Sequence, residues 1–402
     1  MNIIVLGDDQ HEKIYSCDEH FIQPCLKNKH ILIPSGSKED NAIEILKAYL
    51  SDAKAVLYDS EHKALEERIR LLDFDNFNTI DFSTLLFTSG STGAPTGAFK
   101  TKQQLQADVT ALVSIFGDFN ATKVVATVPF VHIYGLLAGL LLPYTLQCDL
   151  LFKEHFLPHD LLAEAKPHCI IVTTPLYIKA LLRLEETRNL KETIFISSTG
   201  PLPPEIAQEF TEKFNTTLFQ LFGSTETGSI AYKKQGDTFW TPFESVDITL
   251  NEEGLLHVSS PFSSTYLWNN ALIDIGGAVQ TFDYATIKEG KFQLLGRSHT
   301  IIKIAGKRYA TAQIEDILET IEGVEKALIH VKHHHQALKD EMAVIYIQAS
   351  RVVRIKEIKA SIKKAMGKIN FPIELKLVEE ISTSLVGKKI IPKMSYENKT
   401  NL

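Results

Sequence analysis

Through the first half of the chain, short apolar runs rich in β-branched residues alternate with stretches whose apolar positions recur every three or four residues. Residues 53–58, 84–88, 124–128, 169–173 and 193–197 form such runs, and so do residues 1–7; each predicts a strand. Residues 102–116 and 204–214 carry the helical period. Strands alternating with helices predict a layered α/β domain with largely parallel pairing. From about residue 247 the pattern shortens to brief alternating runs with turn signals at Glu252-Glu-Gly254, Glu289-Gly290 and Leu295-Gly296, which suits a smaller, more antiparallel β region. A last segment predicts a strand over 300–304, a helix over 311–320, strands near 327–331 and 342–348, and a basic helix over about 353–368. The chain is therefore expected to divide into an N-terminal domain over 1–298 and a compact α+β domain over 299–402. No internal repeat or low-complexity tract interrupts it.

Composition narrows the class. The 402 residues are 44% hydrophobic and 23% charged, as in a globular protein. A net charge of −7 argues against a general nucleic-acid binder, which carries a basic excess. No apolar run approaches the roughly 20 residues that span a bilayer. Residues 1–7 lack a basic flank and read as a first strand, not a signal peptide. Cys17, Cys25, Cys148 and Cys169 are scattered without a CxxC pair, so reduced thiols and a cytoplasmic location are expected. Charge is unevenly placed: from Arg351 to Leu402 there are 12 Lys/Arg against 5 Asp/Glu. That excess is either a solvated helix face with a tail or a docking surface for an anionic partner. His333-His-His335 reads as an exposed turn, because adjacent histidines on a strand or helix cannot easily face one ion.

The chemistry begins at Thr88-Ser-Gly-Ser-Thr-Gly-Ala-Pro-Thr-Gly97, between a predicted strand and a predicted helix. Glycines let successive backbone N–H groups face one concavity, and hydroxyls add donors, so Thr88, Ser89, Gly90, Ser91, Thr92 and Gly93 are candidate phosphate contacts. The loop is not a Walker P-loop, since GxxxxGK[ST] is absent. Alone, it would equally be an ordinary Ser/Gly turn. It is followed, however, by Phe222-Gly-Ser-Thr-Glu226, by Gly296-Arg297 and Lys303-Ile-Ala-Gly306, and by Gly387-Lys388.

In order and rough spacing these motifs resemble the adenylate-forming (AMP-binding) superfamily of acyl-CoA synthetases, non-ribosomal adenylation domains and luciferases, over nearly the whole chain from Leu85 to Lys393. His132-Ile-Tyr-Gly135, Ser224-Thr-Glu-Thr-Gly228 and Trp240-Thr-Pro242 look most like the short AMP-binding ligases of aryl-polyene and fatty-acid-like biosynthesis. The resemblance implies a large adenylate-forming domain with a small mobile C-terminal lid. It implies an acid–thiol ligase that uses ATP and Mg²⁺ to make an acyl-adenylate, then a thioester with CoA or the phosphopantetheine of an acyl carrier protein. The basic C-terminal segment favours an acidic carrier protein as partner.

It also implies roles residue by residue. Phe222 would stack on adenine, or else simply pack in the core, with Gly223 and Ser224 beside the nucleotide. Thr225 would bond the α-phosphate, and Glu226 would hold Mg²⁺. Thr199, Gly200 and Pro201 would run along the adenine. Asp283 would take the ribose hydroxyls, although Thr281-Phe282-Asp283 replaces the family's Thr-Gly-Asp. Arg297 would be a second ribose or phosphate contact. His132 would shape or gate the acyl pocket with Tyr134 and Gly135, and Lys388 would contact the substrate carboxylate and α-phosphate. Ser298-His299-Thr300 would be the hinge, with the loop at Lys303–Lys307 reaching the site in the thioester-forming pose. The apolar and aromatic stretches 136–144 and 174–177 suit the acid-binding pocket.

Two departures stand out. Thr96 occupies the place of the family's loop lysine, leaving Lys100 or Lys102 as candidate phosphate cations. Only 87 residues precede the loop, so part of the N-terminal subdomain is expected to be reduced and the acyl pocket more open. These departures motivate two rivals: a degenerate nucleotide- or acyl-binding homologue without catalysis, and an adenylating enzyme with a non-thiol acceptor.

Overall fold

Each strand expected in the first half forms, because each is an apolar run that a sheet can bury. The computed structural model describes residues 1–9, 11–60, 63–77, 79–88, 96–297, 301–304, 307–333, 341–366, 372–382 and 389. The expected runs become strands Asn2–Leu6, Lys54–Tyr58, Thr84–Thr88, Lys123–Ala126, Cys169–Thr173 and Thr193–Ser197. The expected helices are Lys102–Phe116 and Pro204–Phe214. The first of these is set by a capping box in which Thr101 accepts from the Gln104 amide and the Gln104 side chain accepts from the Thr101 amide, a device worth about 1 kcal/mol.

By its own contacts the chain falls into two compact units. The first comprises Met1–Thr249, His257–Gln280 and Ile287–Phe292; the second comprises Leu250–Leu256, Thr281–Thr286 and Gln293–Leu402.

The first unit holds two sheets. A nine-stranded sheet runs in the order Thr241–Pro242, Gly228–Lys234, Thr217–Ser224, Thr193–Ser197, Cys169–Thr173, Lys123–Ala126, Asp149–Phe152, Asn2–Leu6, Glu12–Ser16. From Thr217–Ser224 to Asn2–Leu6 every pairing is parallel, and antiparallel strands flank both sides. All five residues of Cys169–Thr173 are buried, as expected of a parallel strand covered on both faces. The core against one face includes Ile171, Phe195, Phe210 and Leu218. The second sheet has six strands in the order Leu272–Asp274, Tyr266–Trp268, Thr96–Lys100, Thr84–Thr88, Lys54–Tyr58, His30–Pro34.

The β region expected from residue 247 is a four-stranded sheet ordered Asp247–Leu250, Leu255–Ser259, Ala278–Lys288, Lys291–Arg297. Within the second unit, strands Val324–His333, Glu341–Ala349 and Ile373–Val378 form a three-stranded sheet. Helices Thr311–Glu319 and Ile355–Met366 bury Ile314, Leu318, Ile358 and Ile362 in one cluster with Ile329 and Ile345 from that sheet. No helix among the described residues is long and apolar enough to cross a membrane.

Candidate active site

Parallel strands present their carboxyl ends on one side of a sheet, and ligands of open α/β sheets bind there. In the nine-stranded sheet those ends lead into 198–201, into the turn after Thr217–Ser224, and into the segment carrying His132.

The turn after Thr217–Ser224 is a tight hairpin. Gly223 faces Ser229 and Ser224 faces Gly228, leaving Thr225, Glu226 and Thr227 as its tip. Three-residue hairpin loops commonly close on a left-handed residue, and Gly228 has φ +70°. A Cβ at Gly223 would sit 2.2 Å from the Gly228 carbonyl oxygen, and one at Gly228 would sit 2.3 Å from Asp108 Oδ2. Thr227 is fully buried, and its Oγ1 accepts from the Ser224 amide at 3.0 Å and donates to the Gly228 carbonyl at 2.9 Å. Thr227 therefore serves the turn itself. Thr225 and Glu226 are half-buried, and neither side chain hydrogen-bonds a described residue.

The backbone beneath the tip is held from below. The Glu226 carbonyl accepts from the Ser264 amide at 2.8 Å and from Lys100 Nζ at 2.9 Å. Lys100 Nζ also donates to the Phe262 carbonyl at 2.7 Å, and the residue is 1% exposed. Burial lowers its pKa to about 8 against the charges of Asp108 and Glu226. Asp108, 2% exposed on helix Lys102–Phe116, accepts from the Ser229 amide at 3.1 Å. Burial raises its pKa to about 6, opposed by the Ser229 hydrogen bond and the charge of Lys100. Lys102 pairs with Asp52 at 2.6 Å and lies over the Tyr49 ring. Both lysines that could have served the phosphates in place of a loop lysine are thus engaged elsewhere.

Neighbouring candidates converge on the same strand ends. Ser198 Oγ donates to the Leu221 carbonyl at 2.8 Å, tying residues 198–201 to the strand that carries Phe222. Thr199, Gly200 and Pro201 are exposed, and Thr199 has φ +78°. A β-branched residue there stores about 1–3 kcal/mol of strain, of the kind that collects at binding loops. Phe222 is half-buried and packs on Trp240 and Phe292, with ring centroids 5.5 and 5.9 Å away. It therefore combines a packed face with partial exposure.

The Tyr134 hydroxyl lies 2.8 Å from the Ile196 carbonyl and 3.1 Å from that of Thr173, and burial raises its pKa. At Gly135 a Cβ would lie 1.9 Å from the Pro129 carbonyl oxygen, so only glycine fits where the π-helix Gly135–Leu141 begins. Leu112, Tyr134, Leu137, Ala138, Leu221 and Gly223 help line a small recess of about 40 Å³ that reaches the hairpin. Of the two stretches expected to shape an acyl pocket, 136–144 contributes to this wall and 174–177 does not. His132 precedes the lining residues Ile133 and Tyr134; burial lowers its pKa, with Asp59 opposing, so its imidazole is neutral at pH 7.

Thr88 pairs with Thr96 across strands Thr84–Thr88 and Thr96–Lys100, so the two ends of the Ser/Thr/Gly-rich loop are clamped together. Ser89, Gly90, Ser91, Thr92 and Gly93 lie outside the described residues, as do Ser298, His299, Thr300, Gly306 and Lys388. In the second unit, Arg297 Nε donates to Asp283 Oδ1 at 3.0 Å, and Asp283 is 7% exposed. The two proposed ribose contacts are therefore neighbours. Lys303 stands opposite Arg308 in a short hairpin. Lys389, next to Lys388, is fixed by Glu319 at 2.7 Å, Glu315 at 3.3 Å and the Ala327 carbonyl at 2.8 Å.

Motif reading missed Lys100 and Asp108 as a buried pair. A signal was present: Asp108 falls between Leu105 and Leu112 on the apolar face of its helix, where a carboxylate has no reason to be unless something meets it. The site also bears on Mg²⁺. Among the described residues no three His, Cys, Asp or Glu side chains gather as a metal cage. A single carboxylate at a hairpin tip fits an ion held mainly by phosphate and water oxygens.

The sequence profile of a family described as AMP-binding enzyme matches residues 26–253. The mitochondrial malonate–CoA ligase of Xenopus laevis is 22% identical over 76% of this chain, and the chain spans 63% of that relative's length. A 2-succinylbenzoate–CoA ligase of Oceanobacillus iheyensis is 24% identical over 85% of this chain and 78% of its own. O-succinylbenzoate coenzyme A synthetase of Bacillus subtilis, solved with ATP and a magnesium ion, superposes with a TM-score of 0.77 at 17% identity, covering 96% of this chain and 95% of that one.

Proposed function

The chain belongs to the AMP-binding enzyme family, and from that premise we propose that it activates a carboxylic acid with ATP and passes the acyl group to a thiol. The observation that carries this reading is the hairpin tip. Thr225 and Glu226 are presented from a rigid turn, beside an apolar recess, with side chains that hydrogen-bond no described residue. A carboxylate oxygen of the acid attacks the α-phosphorus of ATP and pyrophosphate leaves. The thiol of CoA or of a carrier protein's phosphopantetheine then attacks the acyl carbonyl, and AMP leaves.

Thr225 would orient the α-phosphate, and Glu226 would hold Mg²⁺, whose charge would neutralise phosphate as the two anions approach. Phe222 and residues 198–201 take the adenine; Asp283 and Arg297 take the ribose. Lys388 would offset the meeting charges. The recess, with Leu112, Leu137 and Leu221 in its wall, favours an apolar aliphatic or aryl acid. Helix Ile355–Met366 buries Ile358 and Ile362 and exposes Lys356, Lys359, Lys363 and Lys364, a basic face that suits an acidic carrier protein.

The test is a panel of aryl and fatty acids with ATP·Mg²⁺, scored for AMP release with CoA and separately with a phosphopantetheinylated carrier protein. Acid-dependent release in either arm supports the ligase, and the stronger arm identifies the acceptor. No acid-dependent pyrophosphate exchange across the panel sinks it.

Thr96 favours the rival of nucleotide binding without catalysis. With Lys100 and Lys102 engaged elsewhere, restoring a cation by Thr96→Lys should lower the KM for ATP by roughly fivefold, the worth of about 1 kcal/mol for a partly exposed charge pair. An unchanged KM would mean that another cation already serves the phosphates.

A further inference from the structure

Lys100 ends the strand Thr96–Lys100, and its ammonium is set under the hairpin that carries Thr225 and Glu226. It donates to the Glu226 carbonyl at 2.9 Å and the Phe262 carbonyl at 2.7 Å while 1% exposed. On helix Lys102–Phe116, Asp108 takes the Ser229 amide at 3.1 Å with one carboxylate oxygen, and its other oxygen, also buried, has no hydrogen-bond partner. The cation thus grips the residue at the tip and the anion grips the returning strand. Gly228 is packed so close to Asp108 that no side chain fits there.

Buried charges are a poor way to gain stability, since apolar residues of similar volume serve as well or better. What a charge-assisted hydrogen bond provides instead is a fixed distance and direction. We propose that Lys100 is the positioning residue of the metal-binding carboxylate: by holding the Glu226 carbonyl, with Asp108 bracing the other side of the turn, it fixes where the Glu226 side chain meets Mg²⁺. The buried lysine acts through backbone, not on phosphate. This rests on the reading of Glu226 as the metal holder.

The experiment compares the wild type, Lys100→Met and Lys100→Met/Asp108→Asn, the last removing both buried charges so that neither is left unpaired. Calorimetry measures ATP binding with Mg²⁺ and, in parallel, with EDTA. Wild-type protein should bind ATP more tightly with Mg²⁺; if it binds no ATP in either buffer, the reading of the site falls and the inference with it. In the folded variants, binding with Mg²⁺ should weaken about tenfold, with little change in EDTA. The Mg²⁺ concentration for half-maximal pyrophosphate exchange should rise while that of the acid stays put. Equal weakening in both buffers, or unchanged Mg²⁺ dependence in the double variant, would overturn the positioning role. A variant that loses its cooperative unfolding transition together with Mg²⁺ and EDTA binding alike would mark Lys100 as structural only, also against the proposal.

Discussion

Replacing Glu226 by Gln is expected to lower acid-dependent pyrophosphate exchange by about 10²- to 10³-fold, the loss typical of removing one preorganised electrostatic contact from a phosphoryl- or acyl-transfer site. Glutamine keeps the volume and the backbone, so the hairpin should survive. Its turn is fixed by Thr227, Gly223 and Gly228 and by the two bonds to the Glu226 carbonyl, none of which uses the Glu226 carboxylate. Thermal unfolding should therefore be nearly unchanged, which separates this outcome from a folding defect. ATP binding in EDTA should also persist, because the change removes the charge proposed to face the metal and none of the proposed adenine or ribose contacts. An exchange rate within threefold of wild type would remove Glu226 from the chemistry.

Gly228→Ala should be strongly damaging to the described site. At φ +70° an L-residue is already disfavoured by about 1–2 kcal/mol. The added methyl would also meet Asp108 Oδ2 at 2.3 Å and Phe262 at 3.1 Å, both on buried side chains that cannot retreat into solvent. Overpacking of that kind adds about 1–3 kcal/mol. The variant should lose about 2–5 kcal/mol in urea unfolding and most of its exchange activity, since the turn that presents Thr225 and Glu226 must open to admit the methyl. Asp108→Ala removes the clashing oxygen. The double variant should then cost less than the sum of the single changes, a coupling expected only for neighbours in contact. Strict additivity would contradict the packing described here.

The two predictions differ in how they could have been reached. Glu226 was singled out in the chain as part of Phe222-Gly-Ser-Thr-Glu226, because the proposed metal-binding role rests on a local run of residues. The clash at Gly228 was not. That glycine reads as one more turn residue until the turn is seen folded against a carboxylate 120 positions earlier in the chain. The same division runs through the site. The two phosphate-cation candidates, Lys100 and Lys102, are indistinguishable by pattern, but one is buried under the hairpin and the other is paired with Asp52. Tyr134 reads as a pocket residue, and its hydroxyl turns out to reach the carbonyls that end two neighbouring strands.

By itself the sequence determined the order and kind of the elements. The runs at 84–88, 169–173 and 193–197 and the helices at 102–116 and 204–214 appear where their periods put them. Periodicity is local: it records which face of a short segment is buried, and capping residues such as Thr101 record where it starts. The sequence also determined the family, because its motifs are contiguous. Only the tertiary structure decided what each buried polar group is for. Lys100 meets Glu226 across 126 residues, Asp108 meets Ser229 across 121, and Lys389 meets Glu319 across 70. The partner that makes a buried charge tolerable is chosen by how strands and helices stack. No local pattern encodes that choice, since the energy of a buried charge resides in the contact and not in either residue alone.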